Sequence, residues 1–274
     1  MPNELFTISD RVIVVTGATG ALGGSVAAYL ATQGARVVWL ARDAAKLDAA
    51  VAACRAAVPA ADCLAVRADV LDHASLSAAR DAVLAKYGRV DGLLNGAGGN
   101  LPGATIPPDK SFLDLDPDAF KQVVDLNLHG TVLPTLVFAP LLVAGGRGSI
   151  VNYSSVSAAQ VLTRVVGYSA AKAAVTNFTR WLAVDLARRT GGGVRANAVM
   201  PGFFLGEQNR RLLTNADGTL TERGRLIVQH TPFGRFGAAR ELHGAIHYLL
   251  SDAAGFVTGS VLEVDGGFHA FSGV

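Results

Sequence analysis

Cysteine, methionine and tryptophan each occur only twice in the 274 residues, and aromatic residues make up 7% of the chain. Two cysteines, Cys54 and Cys63, cannot build a disulfide framework and fit no metal-ligand spacing, so they read as reduced packing residues. The histidines (73, 129, 230, 243, 247 and 269) also show no ligand spacing, and no metal is expected. Charged residues are sparse at 17%, with 24 basic against 22 acidic and a net charge of +2. No basic run is interleaved with aromatics, which excludes the usual footprint of a nucleic-acid binder. Half the residues are hydrophobic, yet no stretch approaches the roughly 20 consecutive apolar residues that span a bilayer. The start, Met1-Pro-Asn-Glu-Leu5, lacks a charged segment followed by an apolar core, so no signal peptide is expected and the predicted location is cytoplasmic. Linkers, repeats and low-complexity tracts are missing too. One domain over residues 1–274, long enough to bury a sizeable core, is the predicted organisation.

What is present is an alternation of apolar runs and helical patterns. Strands are predicted at Arg11–Thr16, Arg36–Leu40, Cys63–Arg67, Gly92–Leu94, Ser149–Ser155, Val194–Val199 and Ser260–Val264. Helices are predicted from about Ser25 to Gln33, over Ala44–Ala57, over Asp72–Tyr87 with Asp72 as cap, and from Tyr168 toward Arg189. A long helix opens at Pro117 and runs toward Leu142, with a bend expected near Pro134. Two further helical pieces precede the last strand. This order implies an α/β fold, a single-domain Rossmann fold with a doubly wound, seven-stranded parallel sheet and helices on both faces. Ligands in such sheets bind at the carboxyl ends of the strands. The turn after Thr16, Asp69, Asn95, Ser155 and Pro201 all fall there.

The first turn, Gly17-Ala-Thr-Gly20-Ala-Leu-Gly23-Gly24, lies between a strand and a helix. There backbone N–H groups and the helix N-terminus can approach a pyrophosphate. Farther along, Tyr168 and Lys172 stand four apart at a helix start, so ammonium and phenol share one face. A tyrosine near its reference pKa of roughly 10 transfers protons poorly at neutral pH, and a neighbouring cation lowers that value. The Ser155 hydroxyl, projecting from a strand end, could hold a substrate carbonyl or alcohol against the phenol. The set suits oxidation of a secondary alcohol or reduction of a ketone. Alone, Tyr-x-x-x-Lys also describes any solvated helix pair; the glycine turn and the strand order give it weight.

Thr16-Gly17, Asp69-Val70, Asn95-Gly-Ala-Gly98, Asn127, Ser155, Tyr168, Lys172, Pro201-Gly202 and Asp265-Gly-Gly267 occur in an order that resembles the short-chain dehydrogenase/reductase family. The likeness runs from Asp10 to the C-terminus. Asn95-Gly-Ala-Gly-Gly-Asn100, Pro201-Gly-Phe-Phe-Leu205, Glu207-Gln-Asn209, His230-Thr-Pro232 and the tail from Asp265 to Val274 are similar to its D-mannonate oxidoreductase (fructuronate reductase)-like members. The resemblance implies a catalytic set of Asn127, Ser155, Tyr168 and Lys172. In it Lys172 also grips the nicotinamide ribose, and Asn127 supports a water-linked proton relay. A local reading of Asn127, as a helix-interior amide bonded to nearby backbone, stays open. Cofactor contacts are implied for Gly17, Thr19, Gly20 and Leu22 at the pyrophosphate, and for Asp69 and Val70 at the adenine. Asn95, Ala97 and Gly98 would lie beneath the ribose, with Pro201 and Gly202 completing the pocket. Asp69 also reads as a plain turn carboxylate.

NAD-preferring relatives carry an acid where Ala41 stands; here Arg42 follows and could pair with a 2′-phosphate, which favours NADP(H) over NAD(H). The competing reading makes Arg42 a surface residue, with Asp43 on the ribose. Two positions depart from the family pattern: Ala21 replaces a usual glycine, and Gly206 a usual threonine that helps hold the nicotinamide carboxamide. A sugar-acid substrate needs donors and a cation. Asn100, Arg164, Gln208, Asn209 and Arg210 border the site beside Ser155, although each also reads as structural or solvated. Residues 203–231 are expected to form a lid, and the apolar tail is expected to pack over the site or on a neighbour. The expected partner is a small molecule, and relatives imply a homo-oligomer, a tetramer. Three functions remain open: oxidoreduction of a sugar acid such as D-mannonate/D-fructuronate, the same chemistry on a gluconate-like acid or a 3-oxoacyl thioester, and non-catalytic cofactor sensing.

Overall fold

A computed structural model describes residues 4–273, apart from the side chains of Glu207, Gln208 and Arg211. Strands β1 (Val12–Thr16), β2 (Arg36–Ala41), β3 (Cys63–Arg67), β4 (Gly92–Asn95), β5 (Gly148–Tyr153), β6 (Val194–Pro201) and β7 (Val261–Val264) form one sheet in the order β3-β2-β1-β4-β5-β6-β7. Every pairing is parallel. Parallel sheets are covered on both faces, and the central strands are accordingly apolar on both. Ile13 and Val15 point into one layer with Val26, Leu30 and Trp39. Val12 and Val14 point into the other with Leu93, Phe138 and Leu182. The Cys54 and Cys63 thiols are free, buried and 3.8 Å apart, and burial pushes Cys54 up to about 11.

The helices are α1 (Ala21–Thr32), α2 (Ala44–Ala57), α3 (His73–Tyr87), α4 (Pro117–Val124), α5 (Gly130–Ala144), α6 (Val166–Thr190), α7 (Glu207–Leu213), α8 (Glu222–His230) and α9 (His243–Leu250). Asp72 caps α3 by accepting from the Ala74 and Ser75 amides, and Gly88 ends it in the left-handed region. Arg195 of β6 donates to the Leu249 and Ser251 carbonyls, a cation at the negative end of α9.

Beyond shifts of one or two residues at element ends, four features differ from the sequence reading, each for a local reason. Helix α1 starts at Ala21 rather than Ser25, because its glycines pack on the preceding turn: a Cβ on Gly23 would lie 2.5 Å from the Gly17 carbonyl. The helix opened by Pro117 is interrupted by a π turn at Asp125–His129, one turn before the Pro134 site of the expected bend. The Thr131 hydroxyl covers the Asn127 carbonyl there. Strand β5 stops at Tyr153, and Ser155 caps a short 3₁₀ turn, Val156–Ala158. Three helices, not two, separate β6 from β7. The 28-residue helical run Pro117–Ala144 is long and apolar enough to cross a membrane, which corrects the reading that no stretch approaches that size. Half of its most apolar window is buried inside the protein, in contact with β4, β5 and α6.

Candidate active site

The strand order reverses between β1 and β4, and a cleft of about 370 Å³ opens at that point. The Thr16 hydroxyl joins the two strand ends by accepting from the Gly96 and Ala97 amides, each at 3.1 Å. Gly17 follows with φ +66°, and a Cβ there would lie 2.7 Å from the Gly96 carbonyl. Only glycine fits both the dihedral and that approach. The cleft wall is backbone over Gly17, Gly20, Gly96, Gly98, Gly99, Gly202 and Gly206. Gly20 begins α1 with no side-chain cap, so the first-turn amides of α1 are left for an anionic group. These features fit a dinucleotide.

Three side chains with proton chemistry meet in the cleft. The Ser155 Oγ accepts from the Ser157 hydroxyl at 3.0 Å and from the Ser157 amide at 3.2 Å. Its own proton is thereby free to turn toward the Tyr168 phenol, which lines the same cleft. Tyr168 lies in the first turn of α6, and Lys172 follows one turn later, its Nζ 5.6 Å from the tyrosine ring centre. Lys172 is 3% exposed and donates to the Tyr153 carbonyl at 2.9 Å. Burial pushes its ammonium down to about 8. Burial raises the Tyr168 phenol, and the Ser155 hydroxyl opposes the rise only in part. The expectation that Lys172 brings the phenol down toward neutrality is therefore corrected for the protein alone. Enclosure is the larger effect, and the neighbouring Ser155 hydroxyl is the smaller, opposing one.

Asn127 sits in the π turn with its side chain fully buried. Its amide donates to the Gly99 and Val123 carbonyls at 2.7 and 2.8 Å and accepts from the Gly99 amide at 3.0 Å. The side chain thus ties the glycine loop after β4 to the helix. Such π turns recur at functional sites.

The cofactor-side candidates divide. Leu22, Pro201 and Gly202 line the cleft; Thr19 is half-buried in the first turn. Asn95 does not line it: its amide donates to Thr135 and Asn152 at 2.9 and 2.8 Å inside the core. Ala97 packs toward the Val12 layer, and Val70 is buried in it. Arg42 is exposed beyond β2, its Nη1 3.8 Å from the Asp69 carboxylate. The other Asp69 oxygen accepts from the Leu71 amide at 2.9 Å, a turn role beside the ion pair. Asp43 caps α2 by accepting from the Lys46 amide at 3.1 Å.

Of the substrate-side candidates, Asn100 and Asn209 line the cleft. Asn100 donates to Thr105, whereas Asn209 is engaged with the Gly206 amide and the Phe204 carbonyl at the start of α7. Arg164 and Arg210 do not line the cleft. Arg164 takes φ +77° and clasps Ile106, its Nε and carbonyl bonding the Ile106 carbonyl and amide. The Gln208 side chain lies outside the described residues. Arg223 of α8, which the sequence reading missed, lines the cleft.

The segment 203–231 contributes Phe203, Phe204, Leu212 and Leu213 to the cleft as well. The tail packs on its own chain: Phe268 meets Phe203 at 5.1 Å, and Gln160 donates to the His269 carbonyl. The two departures from the family pattern touch. A Cβ on Gly206 would lie 3.3 Å from the Ala21 methyl.

Known proteins share this architecture. The short-chain dehydrogenase model described as enoyl-(acyl carrier protein) reductase matches residues 17–269. The chain is 42% identical to an uncharacterized oxidoreductase, UxuB, of Bacillus subtilis, over 97% of this chain and 98% of that one. A candidate D-mannonate oxidoreductase from Haemophilus influenza, solved with bound NAD, superposes with a TM-score of 0.91 at 36% identity, covering 98% of each chain. A gluconate 5-dehydrogenase from Burkholderia cenocepacia, in complex with NADP and tartrate, gives 0.85 at 32%, covering 97% of this chain and 98% of that one. With its seven-stranded sheet, glycine cleft and serine–tyrosine–lysine cluster, this protein belongs to the short-chain dehydrogenase/reductase family and is a nicotinamide-dependent oxidoreductase.

Proposed function

We propose that the protein interconverts a secondary alcohol and a ketone on a sugar acid such as D-mannonate/D-fructuronate. The observation that carries the chemistry is the meeting of the Ser155 hydroxyl, the Tyr168 phenol and buried Lys172 in one cleft. The substrate class is supported by likeness to the Haemophilus and Burkholderia proteins. When bound, the cofactor supplies or takes the hydride. Tyr168 passes a proton between its phenol oxygen and the reacting oxygen, which the Ser155 hydroxyl holds. Lys172 offers a cation beside the phenol as charge develops there, and Asn127 keeps the loop over that cation in place. Residues 203–231 act as the lid that excludes water, and the family resemblance implies a homo-oligomer, a tetramer. A gluconate-like acid is the second reading, favoured by the Burkholderia neighbour.

The direct test follows nicotinamide absorbance with purified protein. D-mannonate and D-gluconate are offered for oxidation and D-fructuronate for reduction, with NAD(H) and NADP(H) in parallel. Turnover of D-mannonate and D-fructuronate is expected. Turnover of neutral alcohols alone would remove the sugar-acid reading and keep the family.

For the cofactor, NADP(H) over NAD(H) is the reading. Ala41 leaves no carboxylate at the end of β2, and among the described residues exposed Arg42 has only a 3.8 Å ion pair to hold its side chain. Exposed pairs of this kind are weak, so the guanidinium is available to a phosphate. Arg42→Ala is expected to lower the NADPH:NADH affinity ratio about tenfold, the effect of one charge-assisted hydrogen bond. Fluorescence titration of both reduced cofactors measures it, and an unchanged ratio would return Arg42 to a surface role.

A further inference from the structure

Arg223 stands where its charge gains least from the protein itself. It is the second residue of α8, in the first turn, where the helix dipole disfavours a cation. It is half-buried, and burial followed by the Arg164 charge pushes its guanidinium below the usual arginine range. No carboxylate pairs with it among the described residues. Its one hydrogen bond is from Nη1 to the neutral Thr163 hydroxyl at 3.2 Å, which reaches from the lid to the loop after β5. That loop runs from Ser155 to Tyr168, and Arg223 lines the same cleft as both. Arg164 does not enter the cleft, because its Nε is held by the Ile106 carbonyl. Among the described lining residues the only other cation is Lys172, buried at the floor.

We propose that Arg223 is the carboxylate anchor of the substrate site, holding the acid group of a sugar acid at the lid side of the cleft while Ser155 and Tyr168 face the carbon that reacts. A guanidinium presents two parallel N–H groups to a carboxylate, and with one Nη on Thr163 the remaining donors are free to do so. An incoming anion relieves the helix dipole, the neighbouring Arg164 charge and the burial at once. Because α8 belongs to the lid, binding the acid also draws the lid toward the loop that carries Thr163. The inference rests on the sugar-acid reading for its ligand, yet it concerns binding and can be tested apart from turnover.

The test is calorimetric. D-mannonate and its neutral counterpart D-mannitol are titrated into protein saturated with reduced cofactor, so that the alcohol binds without reacting. The wild type is expected to bind the acid at least about tenfold more tightly. Arg223→Met should lower the acid:alcohol affinity ratio about 10–100-fold, the range for a hydrogen bond to a charged group. Arg223→Lys should keep part of the ratio, and Arg225→Met, an exposed neighbour on α8, should not alter it. Thermal unfolding of each variant checks that it is folded. Equal weakening of both ligands by Arg223→Met, or a wild type that does not distinguish them, would overturn the anchor. Wild-type turnover of D-mannonate with an Arg223-independent ratio would overturn the anchor alone. An Arg223-dependent ratio without such turnover would uphold the anchor and remove the sugar acid as substrate.

Discussion

Replacing Tyr168 by phenylalanine should lower turnover about 10²–10⁴-fold, the usual contribution of a positioned acid–base group. The ring stays, so the packing at the start of α6 stays; only the phenol oxygen that meets Ser155 is removed. Cofactor affinity should therefore change little, and the Ser155 hydroxyl, already held by Ser157, keeps its place. Steady-state absorbance of the nicotinamide measures the rate, and fluorescence titration measures the binding. A rate within a few-fold of wild type would remove Tyr168 from the proton-transfer role.

Lys172→Met should cut turnover by about 10² or more and, in the same protein, raise stability. Among the described residues the buried ammonium has a single hydrogen-bond partner, the Tyr153 carbonyl, and burial holds it at about 8 against a reference value of roughly 10.4. Below pH 8 the folded and unfolded chains both carry the proton, and the folded chain bears the full burial cost. Between about pH 8 and 10.4 the unfolded chain still holds a proton that the folded chain has released, so stability climbs with pH. Methionine fills the volume without the charge. After allowing for the lost hydrogen bond, the gain at pH 7 should be on the order of 2 kcal/mol, and the climb above pH 8 should vanish. Tyr168 acts in the opposite sense. Its raised pKa keeps the folded phenol protonated where the unfolded one ionises, so its contribution falls as pH rises past about 10. Thermal unfolding from pH 7 to 10 for both proteins measures these slopes. A variant less stable than wild type at pH 7 would show that the Tyr153 carbonyl needs Lys172 more than burial opposes it.

Strand positions were legible because parallel strands buried on both faces leave continuous apolar runs; the fully buried β1 falls at Val12–Thr16, inside the expected run, and Asp72 caps α3. The Ser155, Tyr168 and Lys172 side chains were legible because their chemistry is local to a strand end and one helical turn. Asn95 was misplaced at the cleft because nothing in a sequence tells a buried amide bonded to Thr135 from one facing a ligand. Arg164 stands close to Tyr168 in the chain, and that nearness is all the sequence offers for it. Its left-handed backbone and its bond to Ile106 depend on a loop 58 residues away. Arg223 was missed because it belongs to none of the segments that carry the family resemblance, and only the lid returns it to the site. The readable signal was a basic residue just after the Thr221 cap, against the sign of the helix dipole.

The contact between Ala21 and position 206 makes the order of mutation matter. Giving this chain the threonine that the family resemblance implies at 206 would press a new Cβ to within 3.3 Å of the Ala21 methyl, with the rest of the side chain still to be placed. Introducing glycine at 21 first opens that space. The two substitutions are thus epistatic: the route through Ala21→Gly is open, and the route that begins with Gly206→Thr starts with crowding. Neither residue's effect on the cofactor can be judged by changing it alone.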